Sequence, residues 1–299
     1  MALCYLYPMK LFLSILLVSF LISDICAQKG AQKAELLAYN VIFSGVTSGI
    51  GSMINAPKNV KKGKAFLTGF WQGGIGGILK FSGKELTYQV GRNSLYYAWP
   101  ARIVHAAGLS IVENAAYHRP FLENWHLYLG IVRMDFSVKK DNPMRWRFLP
   151  LSPYNIYRAS RYGKFDLGKT LQTGSIIFHH RESVLFDVPG LGSVAGLSYY
   201  NAMVVGNENY VLHPYFIAHE LVHEFQYYEY MTLNAWISKP AEKFVGSKVK
   251  NIFSKYLYAE VPYFWGFYEW QRQKKVKYQN FFEFEAESSA TNTYINRRQ

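Results

Sequence analysis

The order of helical and strand-like segments constrains the fold of this chain most strongly. A helical pattern at 94–118 follows glycine-rich apolar segments. Between 125 and 205, short segments rich in aromatic and β-branched residues are separated by Pro, Gly, Asn and Asp, which is typical of antiparallel strands. From 214 to 298 the pattern is helical again. This order predicts an α+β fold with an antiparallel sheet in its middle.

The composition is that of a globular protein with one or two domains. The chain has 299 residues, of which 50% are hydrophobic and 18% charged, and this balance excludes an intrinsically disordered chain. The change of pattern predicts a Gly-rich helical N-terminal region at 28–120 and a second domain at 121–299. No run of about 18 residues is uniformly apolar, which excludes a polytopic helical membrane protein.

The N-terminus has the layout of a secretory signal. Lys10 precedes the apolar run 11–22, and small residues follow it. We therefore expect a signal peptide at 1–27 that is cleaved, and an exported protein in the periplasm or associated with the outer membrane. Cys4 and Cys26 both lie in this segment, so the mature chain would contain neither disulfides nor thiolate metal ligands.

The chain is strongly basic. It has 33 Lys plus Arg against 20 Asp plus Glu, a formal net charge of +13, which favours anionic partners. A basic region interleaved with aromatic residues comprises Lys239, Lys243, Lys248, Lys250, Lys255, Arg272, Lys274, Lys275 and Lys277. It suits an anionic membrane surface or an outer-membrane protein complex, and a solvated charged face is the alternative. Because the chain is expected to be exported, nucleic acid is not an expected partner.

Two apolar, glycine-rich segments lie between residues 40 and 80. They are joined by the basic stretch NAPKNVKKGK, and their small residues allow two backbones to approach closely. This pattern predicts a hairpin. Two interpretations stay open: a tightly packed pair of core helices, or a hairpin that dips into a membrane.

A glycine pattern at 44–51 resembles the dinucleotide fingerprint of short-chain dehydrogenases. That fingerprint must open a long helix, but Pro57 follows closely and interrupts it. The first acidic residue downstream is Glu85, too far away to bind the ribose hydroxyls. We therefore expect no dinucleotide cofactor.

The segment His219-Glu220-Leu221-Val222-His223 is an H-E-x-x-H sequence. On a helix, His219 and His223 lie one turn apart on one face, so both imidazoles can bind a single Zn²⁺ ion. Glu220 is then placed to accept a proton from metal-bound water as a general base, which is the chemistry of peptide hydrolysis. The alternative is a helix with two surface histidines.

A zinc site of this kind needs a third ligand. No His or Asp follows His223, so a downstream ligand must be a glutamate. Asn280 is placed to cap a helix on which Glu283 and Glu287 lie one turn apart. We expect Glu283 to bind the metal and Glu287 to accept the second N–H of a ligating histidine. The alternative is a solvated acidic helix terminus.

These two motifs resemble the gluzincin type of zinc metallopeptidase, in which H-E-x-x-H is followed by E-x-x-A-D on a later helix. The matching residues are His219, Glu220, His223, Glu283 and Ala286, with Glu287 in place of the Asp. The continuation to Gln226 is also similar to the H-E-x-x-H-x-x-Q of small bacterial peptidase-like domains. In those domains a strand before the helix forms the substrate edge, and Gly196-Leu197-Ser198 fits that place. The resemblance extends over 196–290.

The sequence thus predicts an exported zinc metallopeptidase of the bacterial cell envelope acting on a peptide or protein substrate. The alternative is a non-catalytic envelope or outer-membrane scaffold that contains a zincin-derived domain. A donor that stabilises the transition-state oxyanion is also expected, and with no later histidine it would be an Arg or a Tyr. The sequence does not choose among Tyr227, Tyr228, Tyr230, Tyr256, Tyr258 and Tyr263.

Overall fold

The computed structural model describes residues 27–138, 144–180, 183–189, 192–206, 213–241, 255–272 and 280–293. The helices are α1 (Ala27–Asn55), α2 (Lys62–Glu85), α3 (Thr87–Arg92), α4 (Ala98–Ala116), α5 (Ser152–Ser160), α6 (Leu167–Thr173), α7 (His213–Tyr230), α8 (Asn234–Ala241), α9 (Tyr263–Arg272) and α10 (Phe281–Thr291). The strands are β1 (Asn124–Leu129), β2 (Val132–Ser137), β3 (Met144–Phe148), β4 (Lys164–Asp166), β5 (Ile176–His179), β6 (Phe186–Val188), β7 (Gly192–Val194), β8 (Gly196–Tyr199) and β9 (Ala202–Val205).

The predicted α+β fold is confirmed, but the middle region differs from the single antiparallel sheet that was expected. Its strands form three small sheets, in the orders β1-β2-β3, β4-β5-β9-β8 and β6-β7. Strands β5 and β9 pair in parallel because the β6–β7 hairpin and β8 lie between them in the chain. Helices α5 and α6 also interrupt the strand region, where no helix was predicted.

Helices α1 and α2 form the predicted hairpin, and α4 packs against it. Glycines permit these contacts: a Cβ on Gly73 would lie 2.5 Å from the carbonyl oxygen of Ser44, and one on Gly76 would lie 2.7 Å from that of Gly108. Backbones can approach this closely only where a side chain is missing. One face of the hairpin is therefore packed inside the protein. This agrees with the first of the two interpretations left open by the sequence, a tightly packed pair of core helices.

An apolar helix lies near the N-terminus. Among the described residues, Gly30–Asn55 is the one helical segment with the length and hydropathy to cross a membrane, and 44% of its most apolar part is buried. Core helices of soluble proteins also reach this length and hydropathy. The predicted signal peptide and most of the basic region between Lys243 and Lys277 lie outside the described residues.

Helix α7 occupies the centre of the molecule, where every residue from Ile217 to Tyr230 is buried. Near its C-terminal end it contributes Tyr227, Tyr228 and Tyr230 to a cluster that also includes Tyr128 and Phe282. Its earlier turns, through Ile217, Ala218, Leu221 and Phe225, belong to a second cluster, which also comprises Val90, Ala98, Ala101, Ile177, Met203, Val205 and Ala290. Packing along its length fixes the axial position and rotation of this helix, and with them the direction of its polar side chains.

Candidate functional site

A cleft of about 570 Å³ lies between α7, α9, α10 and strand β8. Every side chain that the sequence predicts for the site lines it: Gly196, Leu197, Ser198, His219, Glu220, His223, Glu283 and Glu287. The geometry therefore brings together residues from three separate elements.

Helix α7 presents both histidines to the cleft. His219 and His223 are buried, and their Nε2 atoms lie 3.2 Å apart. The one-turn spacing predicted from the sequence produces this approach, because the two side chains project from the same face of the helix.

Helix α10 brings Glu283 to the same point. Asn280 caps this helix as predicted, since its side chain accepts a hydrogen bond from the Phe282 amide at 3.0 Å. The two carboxylate oxygens of Glu283 then lie 3.5 Å from His219 Nε2 and 3.4 Å from His223 Nε2.

The three donor groups have the spacing of a metal site. Ligands held tetrahedrally around zinc at about 2.0–2.1 Å lie roughly 3.3–3.4 Å from one another. The two histidine nitrogens lie 3.2 Å apart, and each lies 3.4 or 3.5 Å from a different oxygen of Glu283. With one ligand atom taken from each residue, all three fall within 4.8 Å of each other. Among the described residues this is the one group of three or more His, Cys, Asp or Glu side chains that meets this criterion.

The second nitrogen of each imidazole is held by a neighbour. His223 Nδ1 lies 2.8 Å from Gln226 Oε1, and His219 Nδ1 lies 3.3 Å from Glu287 Oε2. The Gln226 amide is oriented by its nitrogen, which donates to the Phe282 carbonyl and to Glu285, so its oxygen faces His223. Both Nδ1 atoms therefore face acceptors to which they can donate a proton, so that Nε2, on the side of the carboxylate, is the nitrogen of each ring whose lone pair could bind a metal ion. Such a group of lone pairs needs a cation, or protons, at its centre.

The electrostatics of the cleft favour positive charge. Burial by itself lowers the pKa of the His219 imidazole, but hydrogen bonds to Glu283 and Glu287 raise it to about 10. Burial raises the pKa of the Glu283 carboxyl, but the charge of His223 and a hydrogen bond from His219 hold it well below its usual range. Glu283 is therefore ionised at neutral pH, as a metal ligand must be.

Glu220 lies against strand β8. A Cβ built on Gly196 would be 2.6 Å from Glu220 Oε1, so the carboxylate occupies space that only glycine leaves open. Strand β8 stands at the end of its sheet and pairs with β9 among the described strands. The side chain predicted to act as the base and the strand predicted to hold the substrate are thus in direct contact at the wall of the cleft.

Tyr268 is a site residue that the sequence analysis did not find. It lies on α9, lines the cleft, and its hydroxyl donates to Glu283 Oε1 at 2.7 Å. Burial raises its pKa, and Glu283 raises it further, so the phenol stays protonated and remains a donor. Of the six tyrosines that were considered as oxyanion donors, Tyr227 also lines the cleft. The signal that points to Tyr268 is its one-turn spacing from Phe264, because both residues lie on the aromatic-rich helix α9 and both line the cleft.

The other glutamates near the motif bind internal cations. Glu224 forms a paired contact with Arg102, with oxygen–nitrogen distances of 2.9 and 3.2 Å. Glu285 does not line the cleft and lies 2.8 Å from the fully buried Nζ of Lys84. The same lysine contacts Glu229 at 2.8 Å. These carboxylates stabilise the packing around the site and do not enter it.

No family model, no curated protein and no solved structure matches this chain.

Proposed function

We propose that the protein is a zinc-dependent hydrolase that cleaves peptide bonds, with the general arrangement of a gluzincin. The convergence of His219 Nε2, His223 Nε2 and the Glu283 carboxylate within reach of a single metal ion, in a cleft that also contains Glu220, carries this proposal. These three residues would hold the ion. A bound Zn²⁺ would acidify a water molecule and polarise the scissile carbonyl.

The residues of the chain have separate roles in this reaction. An extended peptide would add to the edge of β8 that no described strand covers, where Gly196, Leu197 and Ser198 line the cleft. Glu220 would accept the proton of the attacking water and pass it to the leaving amine. Glu287 and Gln226 would hold the imidazoles, and Tyr268 would orient the carboxylate of Glu283.

We place the protein in the bacterial cell envelope, in the periplasm or at the outer membrane. The apolar run 11–22 and the basic residue before it support export. Zinc-binding residues without cysteine suit an oxidising compartment, because His and Glu are not oxidised there.

Metal analysis combined with substitution of Glu220 tests the proposed function. Purified protein should contain about one zinc per chain, and Glu220→Gln should keep that zinc while hydrolysis of a peptide mixture falls by at least about 10³-fold. His223→Ala, as the matched variant, should lose the metal. Protein that contains no zinc after purification without chelators, and binds none when it is added, would contradict the proposal.

The same experiment distinguishes the proposed hydrolase from the alternative, a non-catalytic envelope scaffold. A scaffold would retain zinc and cleave none of the peptides, and Glu220→Gln would then change nothing that is measured. The presence of Glu220 favours the enzyme, because a purely structural zinc site does not need a second carboxylate that lies beside the ion without binding it.

A further inference from the structure

The hairpin of α1 and α2 has an exposed apolar side that the rest of the described chain does not cover. Ile42 and Val46 lie one turn apart on α1, and Leu67 and Trp71 lie one turn apart on α2; we call these four residues the outer face. Their exposed fractions are 56%, 36%, 58% and 70%. Helix α4 packs on the hairpin elsewhere, through Gly51, Gly76 and Gly83. The outer face is therefore presented on a rigid support.

Lysines surround the tip of the same hairpin. Lys58, Lys61, Lys62 and Lys64 are exposed there, and residues 36–84 contain no Asp or Glu. The other two lysines of this stretch, Lys80 and Lys84, are buried and paired with acidic residues of other helices. The charge of the tip is thus not balanced within the hairpin.

The basic and apolar residues form a single stripe on α2. Lys64, Leu67 and Trp71 are three and four positions apart, which places them on one side of the helix. A helix that lies in a membrane interface combines lysines that reach the headgroups with large apolar side chains that enter the acyl boundary, and Trp is enriched at that depth.

We propose that the outer face docks on an anionic phospholipid surface, with the lysines of the tip bound to headgroup phosphates. Charge complementarity selects this occupant. A second copy of the chain would bring the same unbalanced lysines to the contact and would be repelled. The hairpin then lies along the membrane surface while its glycine-rich side keeps its contacts with α4 and the rest of the protein.

Vesicle co-sedimentation tests this proposal with the purified protein. It should pellet with vesicles of equal parts phosphatidylglycerol and phosphatidylcholine, and much less with pure phosphatidylcholine. Replacing Leu67 and Trp71 by Ser should weaken binding by at least tenfold, because both side chains would leave the interface. Each of Lys61→Gln and Lys64→Gln should weaken it about fivefold, and added salt should do the same.

A matched control uses exposed leucines on another helix. Leu167 and Leu171 on α6 are 58% and 65% exposed, and replacing both by Ser should leave vesicle binding unchanged. Circular dichroism verifies that each variant is folded. Three results would each overturn the proposal: no pelleting, equal binding to both vesicle types, or a dimer in sedimentation velocity that the Leu67 and Trp71 substitutions dissociate.

Discussion

At the scale of single residues, the position of Glu220 depends on the absence of a side chain at Gly196. The carboxylate fills the space where a Cβ of residue 196 would stand, with Oε1 at 2.6 Å and Cγ at 2.9 Å from that position. Real Cβ atoms do not approach other atoms so closely, so any larger residue must displace the carboxylate or the strand.

Gly196→Ala should therefore impair hydrolysis without removing the metal. Displacing a catalytic group by about 1 Å costs on the order of 10²-fold in rate, so we expect a loss of roughly 10- to 100-fold. Zinc content and activity measured on the same sample provide the check. Gly266→Ala is the control, since a Cβ there meets nothing within 4 Å. Full activity in Gly196→Ala would mean that Glu220 is not held by this contact.

At the scale of elements, buried ionic contacts join the two helices that carry the predicted ligands. Lys84 of α2 contacts Glu229 of α7 and Glu285 of α10, both at 2.8 Å. Glu285 also accepts a hydrogen bond from Gln226, whose oxygen faces the His223 ring. A continuous line of contacts thus runs from the N-terminal hairpin to a histidine of the site.

Removing these contacts should weaken metal binding more than removing an equivalent buried ion pair elsewhere in the protein does. The double variant Lys84→Met with Glu285→Gln removes the cation and its partner charge together, and we expect zinc affinity to fall by about 10- to 100-fold. Competition with a chelator measures the affinity. Arg102→Met with Glu224→Gln is the control, because it removes a similarly buried pair that contacts α7 but not α10. Equal losses of affinity in the two double variants would mean that only general stability was affected.

Local sequence patterns made the site residues predictable, whereas the buried contacts that Lys84 makes with other helices could not be predicted. The spacing of His219 and His223, and the cap that Asn280 provides to the helix of Glu283, are encoded within a few neighbouring positions. The partners of Lys84 lie far along the chain, and no sequence pattern relates them. Helix α5 was not predicted because the prolines between 125 and 205 were interpreted as separators of strands, although proline is favourable in the first turn of a helix, where Pro153 lies.

At the scale of the whole molecule, the core contains many charged groups, and their pairing determines how stability depends on pH. Burial raises the pKa of Glu113, but the guanidinium of Arg133 outweighs it and lowers that pKa to about 2. Glu260 differs, because its hydrogen bonds come from neutral donors, the Leu151 amide and the Tyr227 hydroxyl. Burial raises the pKa of Glu260 to about 7.

Glu260 should make the folded protein less stable as the pH rises from about 4.5 to about 7. The folded state keeps the proton up to about pH 7, whereas the unfolded chain releases it near the ordinary value of 4.5, so the folded state loses stability between these two pH values. The loss is on the order of 3 kcal/mol. Glu260→Gln cannot titrate, and it should match the wild type near pH 4 and exceed its free energy of unfolding at pH 8. Urea unfolding at a series of pH values measures this difference, and parallel curves for the two proteins would show that folding does not raise the pKa of Glu260.

The line of contacts from Lys84 to His223 also determines the stage of export at which the proposed metal site can assemble. Donors from residues 219, 223 and 283 meet at one point, and the α2 lysine that contacts Glu285 beside them comes from the first third of the chain. A protein exported N-terminus first, as we propose, would complete this set only after helix α10 has crossed the membrane. The ion would then be acquired in the compartment of arrival, and the proposed hydrolytic activity would be withheld from the cytoplasm in which the chain is made.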